Sequence, residues 1–70
     1  MTLDEAARQL ELAAHDARVA FDCVGLGDLE QAHMHAITAR AAADAAENVL
    51  RHALDEFTRD QAELAGEAAM

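Results

Sequence analysis

A turn signal near the middle of the chain constrains the fold more than any other feature of the sequence. Residues 25–28 read Gly-Leu-Gly-Asp and separate two long helical patterns. Gly25 is placed to end the first helix in the left-handed conformation, with Leu26 folding back toward Phe21. Asp28 is placed to cap the N-terminus of the next helix. Because a helix stop and a helix start adjoin here, the sequence predicts an antiparallel αα-hairpin.

Both predicted helices carry apolar residues at alternating spacings of three and four, which is typical of helices that pack along their length. In helix 1, about residues 3–24, these are Leu3, Ala7, Leu10, Ala14, Ala17, Phe21 and Val24. In helix 2, about residues 29–65, they are Leu29, Ala32, Ala36, Ala39, Ala43, Ala46, Leu50, Ala53, Phe57 and Leu64. We therefore predict an all-α fold, a single helical-hairpin domain over residues 1–70 in which these two stripes face each other across the turn 25–28.

The second helix is predicted to be much longer than the first. Folding back at the turn pairs Leu3 with Leu50, so helix 2 projects about 20 Å further at 1.5 Å per residue. An apolar stripe without a neighbour in its own chain normally marks an interface. The residues predicted to form this interface are Leu50, Leu54, Phe57 and Leu64. Alanines on two sides of each helix further predict a four-helix bundle, built by a dimer or higher oligomer.

Length, cysteine content and charge narrow the function classes. A chain of 70 residues has little core of its own, and one cysteine, Cys23, excludes an intramolecular disulfide, so self-association or a bound metal is the expected stabiliser. The formal net charge of −9 argues against binding to nucleic acid or to anionic lipid. We find no signal-peptide pattern and no apolar stretch long enough for a membrane span, and we expect a cytoplasmic protein.

One short motif suggests a metal site. Glu30-Gln31-Ala32-His33 places a carboxylate and an imidazole three residues apart on one helix. Over these four residues the chain resembles the ferritin-like carboxylate proteins, which hold two metal ions inside a four-helix bundle. The resemblance implies iron or manganese bound by Glu30 and His33, with a second copy of the hairpin supplying the second motif. The helix 1 positions opposite the motif are Cys23 and Ala20, where that family would have carboxylates.

Three functions follow as hypotheses. The leading one is a non-enzymatic assembly or adaptor protein, without cofactor, that acts through self-association and through protein contacts of the helix 2 overhang. The first alternative is the ferritin-like metal protein with its site at a dimer interface. The second is an acidic inhibitor or antitoxin-like binder of a basic protein, which the net charge alone motivates. Nucleophilic catalysis has little support, because the chain has no serine and Cys23 lies at the wrong end of a helix to be activated.

Overall fold

The computed structural model of the chain describes the backbone of residues 2–69 and the side chains of residues 2–66. Two helices make up this part of the chain: α1 spans Leu3–Gly25 and α2 spans Leu29–Ala69. They fold back on each other across the short connection between them and form a hairpin of 65 × 16 × 14 Å. The α-helical hairpin predicted from the sequence is therefore the observed fold.

The N-termini of both helices are capped by side chains. The hydroxyl of Thr2 accepts a hydrogen bond from the backbone N–H of Glu5 at 3.2 Å. In the same way, Oδ1 of Asp28 accepts from the backbone N–H of Gln31 at 3.1 Å. Each cap satisfies one of the N–H groups that have no partner within the first turn of a helix. The predicted N-cap at Asp28 is confirmed.

The turn itself differs from the prediction by two residues. Gly25 is the last residue of α1, and the left-handed residue is Gly27, with φ of 77°. The backbone N–H of Asp28 reaches back to the carbonyl of Cys23 at 2.9 Å, which is the long hydrogen bond of a Schellman ending. Leu26 does not fold back onto α1 as predicted; it is 84% exposed. The hairpin connection is therefore held by backbone hydrogen bonds rather than by a side-chain contact.

Small residues form the contact between the helices, which we call the seam. Its α1 side consists of two columns spaced seven residues apart: Ala6, Ala13 and Ala20, and Gln9, Asp16 and Cys23. Its α2 side consists of Ala32, Ala39, Ala46 and Ala53, and of His35, Ala42 and Val49. Every one of these residues is buried or half-buried, and within residues 2–66 the four buried apolar residues are all alanines.

The predicted stripe of α1 is consequently wrong as an intramolecular contact. Leu3, Leu10 and Phe21 all remain exposed, and the seam lies on the alanine column beside them. The α2 stripe is half right, because its column from Ala32 to Ala53 lies in the seam while its column from Leu29 to Leu64 does not. Alanine side chains allow two helix axes to approach closely, so the seam is tight but buries little apolar area.

Candidate interaction site

A continuous exposed surface of apolar residues runs along one side of the hairpin, and we call it the apolar face. It consists of one column in each helix, and within each column the residues are seven apart. The columns are Leu3, Leu10, Ala17 and Val24 in α1, and Leu29, Ala36, Ala43, Leu50, Phe57 and Leu64 in α2. All ten residues are exposed. Residues seven apart on a helix point in nearly the same direction, so each column stays on one side of its helix.

Two grooves show that the columns of α1 and α2 meet on the same side. One groove of about 370 Å³ is lined by Leu10 of α1 together with Ala43, Leu50 and Leu54 of α2. The other groove has a similar volume and is lined by Leu3 of α1 and by five residues of α2, namely Val49, Ala53, Glu56, Phe57 and Asp60. Both grooves are open and shallow. They suit side chains of a packing partner better than an enclosed small molecule.

The four residues predicted as an interface all lie on or beside the apolar face. Leu50 and Leu54 line the first groove, and Phe57 lines the second. Leu64 lies beyond the start of α1 and is 59% exposed. Because Leu3 shares a groove with Ala53 and Phe57, α2 extends past α1 only over residues 58–69, about 18 Å at 1.5 Å per residue. Their exposure supports the interface assignment, which stays a prediction.

A polar pair interrupts the alanine seam near the middle of the hairpin. Nδ1 of His35 in α2 lies 3.0 Å from Oδ1 of Asp16 in α1. The carboxylate oxygen accepts, so Nδ1 carries the hydrogen. Asp16 is only 6% exposed, whereas the His35 side chain is 33% exposed. The second carboxylate oxygen, Oδ2, is buried and has no hydrogen-bond partner among the residues that the structure describes.

Neutral residues surround this pair on both helices. The positions one turn away on α1 are Leu12, Ala13, Val19 and Ala20, and those on α2 are Gln31, Ala32, Thr38 and Ala39. None of these eight is titratable, and among residues 2–66 His35 is the side chain recorded as a partner of the buried carboxylate. A buried charge with a single partner is costly to leave alone. The pair therefore opposes any sliding of the alanine seam, whose own residues are nearly interchangeable.

The sequence analysis did not predict this pair, because the stripe that it assigned to the contact between the helices does not include Asp16 or His35. The signal that could have found it is the heptad spacing of Gln9, Asp16 and Cys23, which parallels the alanine column next to it. A polar residue inside such a column predicts a polar partner across the seam. The corresponding column of α2 begins with His35.

The candidate metal ligands do not form a site within one chain. Glu30 and His33 are both exposed near the beginning of α2. Over the described residues, no three His, Cys, Asp or Glu side chains come together as a metal site would require. A metal ion at Glu30 and His33 would thus need ligands from another molecule, and the ferritin-like hypothesis depends wholly on how copies assemble.

The membrane question can be addressed from the helices themselves. Within residues 2–69, neither α1 nor α2 contains a segment long and apolar enough to cross a membrane. Both helices also carry exposed ion pairs, Arg18 with Asp22 in α1 and Arg51 with Glu47 in α2.

Comparisons with known proteins add no relative. The chain matches no model of a known protein family, no curated protein and no solved structure. The functional argument therefore depends on the surfaces of this chain alone, namely the apolar face and the seam with its polar pair.

Proposed function

We propose that this chain is a non-enzymatic assembly protein that works as a homo-oligomer, with the apolar face as the contact between copies. The observation that carries the proposal is that the small side chains of this chain are buried and its large apolar side chains are exposed. Among the residues whose burial is described, no large side chain is fully buried, while thirteen large apolar residues are exposed. The hydrophobic effect that normally holds a fold together is left almost unused by a single chain.

The exposed area has the size that a dimer needs. The surface of the chain is 5465 Å², whereas a compact monomer of 7.5 kDa is expected to expose about 4,200 Å². The excess of roughly 1,200 Å² exceeds the approximately 800 Å² that each partner buries in an interface of standard size. The radius of gyration, 18.2 Å, is likewise far above the roughly 11 Å expected for 70 residues. A second copy bound to the apolar face would bury this excess surface area.

Charge near the apolar face also favours a second copy despite the net charge of −9. Arg18 stacks over Phe21 at 5.5 Å and pairs with Asp22 at 3.6 Å. Glu47 and Arg51, which line the groove beside Leu50, pair with each other at 3.5 Å. Each of these two ion pairs is neutral overall, so neither adds net charge where two copies would meet, and the carboxylates of Glu56 and Asp60 line the other groove. The acidic residues on the remaining surface are then available for contacts with other proteins, as an adaptor requires.

Two acidic substitutions on the apolar face test the proposal. In Leu54→Glu/Phe57→Glu, each carboxylate would have to be buried at the contact between copies, so the oligomer should dissociate to the 7.5 kDa monomer. The mass is measured by native mass spectrometry and by sedimentation equilibrium over a range of concentrations. The same spectra report any bound metal ion, which separates this proposal from the ferritin-like hypothesis.

The matched control places the same two charges elsewhere on α2. Asn48→Glu/His52→Glu also introduces two glutamates at exposed positions, but outside the columns of the apolar face. This variant should keep the mass of the unmodified protein. The proposal is overturned if the unmodified protein is a monomer at every concentration, or if the Leu54 and Phe57 variant retains the oligomer.

A further inference from the structure

We infer that two copies pair with their α2 helices antiparallel and with a two-fold axis near Leu50. In this arrangement the C-terminal half of each α2 lies on the apolar face of the other hairpin, and the exchange is reciprocal. The inference rests on the self-association proposed above and deepens it, because it assigns the register and the topology of the contact. Three properties of α2 lead to it: the order of side-chain sizes, the lengths of its two halves, and the exposure of its end.

Along the α2 column of the apolar face, small residues lie on one side of Leu50 and large residues lie on the other. Ala43 lies seven residues before Leu50, and Ala36 lies fourteen before it. Phe57 and Leu64 lie seven and fourteen residues after it. A two-fold axis at Leu50 reverses the column. It therefore sets Phe57 of one copy against Ala43 of the other, and Leu64 against Ala36. Large residues then fill the space that small residues leave, as close packing requires.

The two halves of α2 also match in length. From Leu29 to Leu50 α2 is about 33 Å long, and from Leu50 to Ala69 it is about 30 Å long. α1 lies alongside the whole first half and reaches the level of Phe57. The apolar face of the hairpin is a shallow trough between two helices, so a third helix of the same length covers it. Each half of the dimer then becomes a three-helix bundle, composed of α1, the first half of α2, and the second half of the other copy's α2.

Other two-fold arrangements leave apolar residues exposed. In one alternative, the two hairpins are antiparallel and overlap only along the length of α1, so the turn of each copy lies beside the open end of the other. Residues 58–69 of both copies would then project without cover. If both turns lay at the same end, the two projecting segments would run side by side beyond the bundle, and neither would lie on a hairpin. With both turns at one end, Leu64 would contact only the projecting segment of the other copy. An axis near Leu50 instead places Leu64, which is 59% exposed in the single chain, and Phe57 against both helices of the other hairpin.

Distances between identical positions in the two copies test the register. Nitroxide labels are attached to Gln31→Cys or to Thr58→Cys, two exposed positions of α2, in a Cys23→Ala background. With the axis at Leu50, the labels are displaced along α2 by about 57 Å at position 31 and about 24 Å at position 58. Pulsed electron paramagnetic resonance on the intact dimer should find the longer distance at position 31.

The other two-fold arrangements predict a different order of the two label-to-label distances. Overlap of the hairpins over α1 alone makes position 58 the more distant one, and a dimer with both turns at one end gives similar distances at both positions. Either result would overturn the inferred register while leaving self-association intact. A monomeric mass with no dipolar coupling would instead refute the proposed function, and this inference with it.

Exchanging the small side chain at position 43 with the large one at position 57 provides a second test of the register, without labels. Ala43→Phe should raise the dissociation constant by about tenfold or more, because it sets two phenylalanines against each other. Adding Phe57→Ala to the same chain restores one large and one small residue at this contact, so the double variant should recover most of the lost affinity. If Ala43→Phe/Phe57→Ala binds no better than either single variant in sedimentation equilibrium, the two positions do not face each other.

Discussion

Replacing His35 with alanine should destabilise the folded protein, because it removes the one partner of a buried carboxylate. The structure sets the Nδ1 of His35 3.0 Å from Oδ1 of Asp16, and Asp16 is 6% exposed. In His35→Ala neither carboxylate oxygen has a hydrogen bond from the chain, since Oδ2 already has none. The carboxylate must then remain buried without a partner or open the seam to water.

The magnitude follows from the exposure of the two side chains. Breaking a fully buried ion pair from one side costs about 3–5 kcal/mol. The His35 side chain is one-third exposed, so water can reach part of the space that it leaves, and we expect about 2–3 kcal/mol. Removing both partners in Asp16→Ala/His35→Ala extends the alanine seam through this level. The double variant should therefore lie within about 1 kcal/mol of the unmodified protein.

Urea unfolding followed by far-ultraviolet circular dichroism measures these free energies. All variants must be compared at one chain concentration, because unfolding of an oligomer depends on concentration. His33→Ala is the matched control: it makes the same substitution two residues away at an exposed position, and it should change the free energy of unfolding by less than about 0.5 kcal/mol. The reasoning is refuted if His35→Ala behaves like His33→Ala, or if the double variant is as unstable as His35→Ala alone.

Further predictions concern local positions, each measured by thermal unfolding at a fixed concentration. Gly27→Ala should cost about 1 kcal/mol or more because φ is 77°, whereas Gly25→Ala, in helical backbone with open space around it, should be neutral or slightly stabilising. A loss from Gly25→Ala as large as that from Gly27→Ala would contradict the observed turn. Asp28→Ala should cost about 1 kcal/mol through loss of the α2 cap. Gly66→Ala, inside α2 and exposed, should raise helix content and stabilise by about 0.5–1 kcal/mol, and a decrease would argue against an unbroken α2.

The polar pair has a bearing on assembly as well as on stability. A seam of alanines offers several nearly equivalent registers, since one methyl group is much like another. A single polar pair can select one of them, as buried polar residues do in coiled coils. Because the same helices present the apolar face on their adjacent side, the register set by Asp16 and His35 also aligns Leu10 with Ala43 and Leu50. The pair thus shapes the surface on which the proposed oligomer depends.

Local features of the fold could be predicted from the sequence because each depends on a few neighbouring residues. Thr2 and Asp28 cap their helices through side chains that reach a backbone N–H three residues away. The turn could be located but not resolved, because Gly25 and Gly27 are equally able to adopt positive φ and the choice depends on which residue ends α1. The hairpin follows directly from two helices and a short connection.

The candidate site could be predicted only in part. Leu54, Phe57 and Leu64 are exposed, as an interface requires. Leu64 lies beyond the start of α1, whereas Leu54 and Phe57 line open grooves together with Leu10 and Leu3 of α1. The pairing of Asp16 with His35 could not be derived, since it requires knowing which α1 column faces which α2 column. The long exposed column of α1, with Leu3 and Leu10, was assigned to the inside of the hairpin for the same reason.

The sequence by itself determined that the chain forms two helices of unequal length, where they begin, and that each carries apolar residues on more than one side. Only the tertiary structure decided that alanines form the seam and that the large residues face outward. The physical reason is that a heptad pattern specifies directions around one helix axis. Which of two adjacent columns meets the neighbouring helix depends on how closely the two axes can approach, and this is a property of both helices together.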